Sequence, residues 1–183
     1  MLIARYAKIV MSLLLAAFFL LVSFDNITDY GSNFAFVRHV MSMDTVFPGS
    51  VLTYRAVTTP ALWHLAYAII IASQTAAGIL YLWGGARLFR VRHAPGGVFN
   101  RAKSCVIAAS LVGFVVFFFM FMVIGGEWFS MWQSKDWNAQ EAAFRFYMAV
   151  LGVLIFVSLP DTDLGSSAAS NEPVRSGKPQ DEG

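Results

Sequence analysis

Between Arg55 and Arg87 the chain carries no Asp, Glu, Lys or Arg. A helix crossing about 30 Å of hydrocarbon needs roughly 20 apolar residues at a 1.5 Å rise, so this gap alone accommodates a complete span. Pro60 suits the first turn of that helix, where its missing N–H would be unpaired in any case, and the span reads as about 60–83. A second full window lies between Lys103 and Glu127 and gives a span of about 104–124. Two shorter windows, Ile9 to Phe24 and Phe146 to Leu159, reach spanning length if Lys8 and Arg145 snorkel back to their own interfaces. Spans of about 6–24 and 142–159 follow. Only 13% of the residues are charged and 57% are hydrophobic, whereas ordinary soluble domains are about 25% charged. The expectation is an all-α membrane protein with four transmembrane helices in an up-down bundle.

The first segment also has the basic start and apolar run of a secretory signal. Its exit, Leu20-Leu21-Val22-Ser23-Phe24-Asp25, lacks the small-x-small cleavage pattern, and it reads as an uncleaved span. Orientation comes from the basic residues. Arg5, Lys8, Arg87, Arg90, Arg92, Arg101 and Lys103 flank one side, against Arg38, Arg55 and Lys135 on the other, with Arg145 at the margin. The positive-inside rule then puts both termini in the cytoplasm. Five of the 13 Lys and Arg residues crowd between Arg87 and Lys103 beside apolar segments, which is a topology signal and no nucleic-acid footprint. Residues 1–160 read as the membrane domain. Residues 161–183, rich in Ser, Gly, Pro, Asp and Glu, read as a disordered cytoplasmic tail.

The segment from Asp25 to Thr59 is too long for a bare connection. A helix from Phe34 to Phe47 explains much of it, with Phe34, Phe36, Val37, Val40, Met41, Met43 and Phe47 in one half of its circumference. Ser32 or Asn33 would cap it and Pro48-Gly49 would stop it. Such an amphipathic helix is expected to lie along the outer interface or to lid the bundle. In the last outer loop Trp128, Trp132 and Trp137 read as headgroup anchors.

Packing between membrane helices relies on small residues and interhelical polar contacts. Ala68, Ala72 and Ala76 offer a close-packing stripe on the second span, and Ala109 with Gly113 a matching one on the third. Gln74, the deepest strong hydrogen-bonding group, reads first as a bond to a neighbouring helix and second as part of a solute path. At the outer rim Asp25, His64, Glu127 and Arg145 approach from the four spans, joined by Glu141, Arg38, His39 and Arg55. Ionisable groups at membrane depth must pair or meet water, so this polar cluster is the candidate site, although Glu141 to Arg145 is also the favoured i, i+4 helix pair. Only His64 among the histidines lies in a span, which argues against two axial haem ligands from one chain, and a zinc site lacks ligands too. The single Cys105 makes no internal disulfide. No phosphate loop, nucleophile elbow or His-Glu-x-x-His occurs. The reading therefore assigns no catalytic, cofactor or metal residue. Asn26-Ile27-Thr28 fits a glycosylation sequon, a pattern too common to weigh much.

The runs Asp25-Asn26-Ile27-Thr28-Asp29-Tyr30, Arg38-His39-Val40-Met41-Ser42-Met43, Tyr54-Arg55-Ala56 and Trp63-His64 carry a resemblance. The chain resembles a bacterial family of predicted small integral membrane proteins that contain a domain of unknown function, over about residues 5–159. The resemblance implies a four-span architecture and a bacterial inner-membrane address, and no catalytic residue. Size and the missing catalytic constellations favour a non-enzymatic accessory or assembly component. Its outer loops would contact another membrane protein or a second copy of the chain. A small transporter or channel, and a quinone-linked redox component, are the alternatives.

Overall fold

The computed structural model of the chain describes residues 1–164. It is all-helical, with α1 (Leu2–Thr28), α2 (Tyr30–Ser42), α3 (Pro60–Arg90), α4 (Gly96–Ala102), α5 (Ser104–Phe114) and α6 (Gln140–Ser158). From Val115 to Trp128 the third span continues from α5 in π-helical winding, which ends with Phe129 N–H donating to the Ile124 carbonyl at 3.0 Å. Four rods are long and apolar enough to cross a membrane: α1, α3, the 96–128 rod and α6. α1 and the 96–128 rod are longer than the uncharged windows that announce them, because Arg5, Lys8 and Lys103 find partners inside the protein.

α1 shows why. Its buried residues, Arg5, Lys8, Ile9, Ser12, Ala16, Phe19, Ser23 and Asn26, recur every three or four positions and form one stripe. The stripe packs on α3 and α6. Ser23 meets Thr75 at 2.5 Å, and Asn26 Nδ2 donates to Gln74 Oε1 at 2.8 Å. On the other flank of α3, Tyr81 donates to Ser110 Oγ at 2.8 Å. Interhelical bonds of this type average about 0.6 kcal/mol in membranes, so they set register more than they supply stability.

The small residues that bring helices together are not the alanine stripe. Ala68, Ala72 and Ala76 are exposed, and α3 packs instead through Tyr67, Gln74, Ala77, Gly78, Tyr81, Gly84, Gly85 and Leu88. A Cβ at Gly84 would lie 2.6 Å from Val106 Cγ2 and 3.0 Å from its backbone nitrogen, so only glycine permits this approach of α3 to α5. Ala109 and Gly113 are both buried, and Phe19 of α1 is seated against Gly113.

Lys8 does not snorkel. It is 2% exposed, and with Lys103, at 3%, it clamps Asp161, each Nζ lying 2.6 Å from Oδ2. Both lysines also donate to the Leu159 carbonyl at 2.7 Å. That carbonyl is the C-cap of α6, where unpaired acceptors and the negative end of the helix dipole favour cations. Asn100 closes the ring, donating to the Asp161 carbonyl and accepting from its N–H, both at 3.0 Å. Arg5, fully buried, donates to the carbonyls of Arg92, Ala94 and Thr162 and stacks on Phe99 at 4.7 Å. The expected tail boundary at 161 therefore moves. Asp161 to Asp163 is built into the bundle as a latch over its terminal end, and 165–183 lies outside the described residues.

At the opposite end α2 lids the bundle. It begins at Tyr30, four residues before the expected start, directly after Asp29, and without a side-chain cap from Ser32 or Asn33. It stops at Ser42 because Met43 turns left-handed at φ 53°, well before Pro48-Gly49. Val40 and Met43 pack with Phe129 and Met131 into a separate small core over the spans.

Candidate functional site

The rim residues expected to converge are divided among four places. His64 Nδ1 pairs with the Tyr30 hydroxyl at 2.7 Å and its ring stacks on Phe34 at 4.2 Å. His39 bridges Arg38 and Asp44: its Nε2 accepts from Arg38 Nη2 at 2.9 Å, which leaves Nδ1–H to donate to the Asp44 carboxylate at 2.8 Å. Arg55 stacks on Trp128 at 5.0 Å and donates to its carbonyl at 3.4 Å. Arg145 pairs with Glu141 at 2.6 Å, with side chains 67% and 84% exposed, and a surface pair of this kind contributes about 0–1 kcal/mol. Asp25 and Glu127 are exposed. No single pocket unites Asp25, His64, Glu127 and Arg145, because helix rotation and the lid place each against a different neighbour.

Gln74 is where chemistry can gather. It is 2% exposed and lines a cavity of about 500 Å³ enclosed by α1, α2, α3, the π-wound stretch and α6, a volume typical of small-molecule sites. Its deep polar wall is a short network. Asn26 Nδ2 donates to Gln74 Oε1, and the Tyr67 hydroxyl donates to the Asn26 carbonyl at 2.9 Å. Phe36, Phe117, Phe121, Trp137 and Phe146 supply aromatic walls. Ser32, Asp136 and Asn138 line it too and are exposed, which puts the mouth at the α2 end. Below Gln74 the bundle is filled by Phe19, Ala77, Tyr81 and Ala109, all fully buried, so the cavity is blind.

Several of these residues escaped the sequence reading. Asn26 lies beyond Asp25, the charge that ends the first window, and reads from the sequence as a sequon and as part of a polar outer loop; in the fold it is buried within α1 and bonded to Gln74. The signal available was its place in the stripe, seven residues after Phe19 and three after Ser23. Trp137 is half-buried against His39, with ring centroids 4.5 Å apart, and walls the cavity, while Trp128 and Trp132 are exposed as anchors would be. The π winding of 115–128 had no sequence signal. It supplies Phe117 and Phe121 to the cavity, and π-helical turns concentrate at functional sites. Among the described residues no three His, Cys, Asp or Glu side chains come together as metal ligands.

Fold and cavity define a multi-pass, all-helical integral membrane protein with a lidded, blind polar cavity at one end of its bundle. The chain belongs to the family described as predicted small integral membrane protein (DUF2165), which matches residues 4–160. No curated protein and no solved structure shows a significant match.

Proposed function

We propose that the protein is a non-enzymatic accessory or assembly component of the bacterial inner membrane, with both termini cytoplasmic, that contacts another integral membrane protein through the α2 end of its bundle. One observation carries this reading: the loops at that end hold large apolar side chains outward. Val51 and Tyr54, on the 3-10 turn Val51–Arg55, are 84% and 76% exposed. Phe47 and Trp132 meet edge-on at 5.8 Å and are each about half exposed. Arg55 fixes the turn by stacking on Tyr54 and Trp128. Aromatic side chains with an arginine are the residue types enriched at protein interfaces. A solute path finds less support, since the cavity ends above Phe19 and Tyr81.

A photo-crosslinker at Tyr54 in native membranes is expected to give one adduct of fixed mass containing a different membrane polypeptide. The same group at Trp83, exposed on the opposite half of α3, should not give it. An adduct containing only two copies of this chain, or only lipid, would overturn the reading. Orientation has its own test. Reporters fused at Pro95 and Gly177 are expected to report the cytoplasm and those at Asp44 and Lys135 the outside; Pro95 and Gly177 on opposite faces would defeat the four-span topology.

A further inference from the structure

We propose that the blind cavity holds the uncharged, oxygen-bearing head of an amphiphile, whose apolar tail lies in the adjoining crevice between α3 and the π-wound stretch. The cavity lining has no Lys, Arg or His and one carboxylate, Asp136, which is exposed at the mouth. A phosphate or carboxylate head would sit unpaired among apolar walls, which is costly at membrane depth. A cationic head would find its only counter-charge at the entrance, far from the polar wall.

Gln74 Oε1 is engaged by Asn26, and the Tyr67 hydrogen is given to the Asn26 carbonyl. Left at depth are the Gln74 amide NH2, which has no partner among the described residues, and the second Asn26 N–H, beside Asn26 Oδ1, which the Tyr67 hydroxyl reaches at 3.3 Å. The two free donors call for an acceptor oxygen, carbonyl, ester or hydroxyl, and a hydroxyl would also find Asn26 Oδ1.

The tail follows from the second volume. A crevice of about 210 Å³ shares Phe36, Val37, Ile70 and Phe121 with the cavity, so the two meet across four side chains. Its remaining walls include Ile69, Met120 and Ile124, and Ile69 and Ile124 are exposed on the lipid-facing side of the bundle. An acyl or isoprenoid chain matches that wall, whereas a soluble polar ligand leaves it unused.

The test uses the full chain in lipid nanodiscs and, as probe, a monoacylglycerol with a diazirine in its acyl chain. Labelling is expected to saturate, to fall on α2, α3 and residues 115–128, and to be displaced by unlabelled monoacylglycerol. Trimethylammonium or phosphate analogues of the same chain should compete at least tenfold more weakly. Gln74→Leu removes the Gln74 amide donors, and Ala142→Phe puts a ring at an exposed lining position without deleting a hydrogen bond; each should reduce labelling at least tenfold. If Gln74→Leu fails to fold, Ala142→Phe decides alone. Labelling that is absent, does not saturate, survives Ala142→Phe, or is displaced equally by the charged analogues would overturn the proposal.

Discussion

Asp161→Asn is expected to destabilise the protein by about 3–5 kcal/mol, the usual cost of removing one partner from a buried ion pair. The side chain is 6% exposed and Oδ2 is shared by two ammonium groups at 2.6 Å. Asparagine keeps the shape and one acceptor, but it leaves Lys8 and Lys103 buried without a counter-charge. A fall in the thermal midpoint of the detergent-solubilised protein measures the loss. Lys8→Met in the Asp161→Asn background should recover part of it, because the second substitution removes one stranded charge; a further loss of the same size would count against the latch. The pH dependence carries the same logic. Burial pushes the Asp161 carboxyl up, but Lys103 and Lys8 together outweigh that and hold it below its ordinary 3.8. A carboxyl whose folded pKa is depressed contributes its stability in full above the unfolded value and loses it as pH falls through the folded one. The gap between wild type and Asp161→Asn should therefore be constant near neutrality and shrink below about pH 3.8. A gap that widened on acidification would contradict the assignment.

The same residues show what sequence alone can establish. Uncharged windows and Pro60 locate the spans because lipid requires internally bonded backbone and tolerates few charges, both of which are local properties. The rotation of each helix is not local. Around α3 small residues occupy nearly every face, so Ala68, Ala72 and Ala76 were as plausible a contact stripe as Gly78 and Gly84. The choice was made by the bulk of Leu20 and Val106 on other helices. Lys8 could be seen to lie near a membrane boundary, and snorkelling follows from side-chain tilt. Its actual partner lies 153 residues along the chain, in a stretch whose composition reads as a tail. The candidate site was half legible for a related reason. Gln74 stood out as a strong polar group in an apolar window, yet the cavity around it depends on a lid that begins four residues early and on π winding that turns Phe117 and Phe121 inward.

Two adjacent glycines are expected to respond differently to alanine, and the contrast tests the latch independently of charge. At Gly96 a Cβ would press on the Asp161 carbonyl oxygen and lie 2.9 Å from the Thr162 carbonyl carbon and 3.1 Å from its Cα. All three are backbone atoms, held by Lys8, Lys103, Asn100 and Arg5, so no flexible side chain can yield. Gly96 N–H also donates to Asp163 Oδ1 at 2.5 Å, and that bond is lost if the strand lifts away. Overpacking of this kind costs about 1–3 kcal/mol, and displaced latch bonds add to it. At Gly97 the nearest atom to a new Cβ is Arg101 Nη1 at 4.0 Å, so Gly97→Ala gains helix propensity in α4, up to about 1 kcal/mol, without a clash. Gly96→Ala should therefore lower the thermal midpoint while Gly97→Ala leaves it level or raises it. Because Gly96 and Asp161 act on one strand, the double variant Gly96→Ala with Asp161→Asn should lose less than the sum of the two, by a coupling of about 0.5–3 kcal/mol. Strict additivity would mean that the strand is not seated between α4 and the two lysines, and the latch would have to be redrawn.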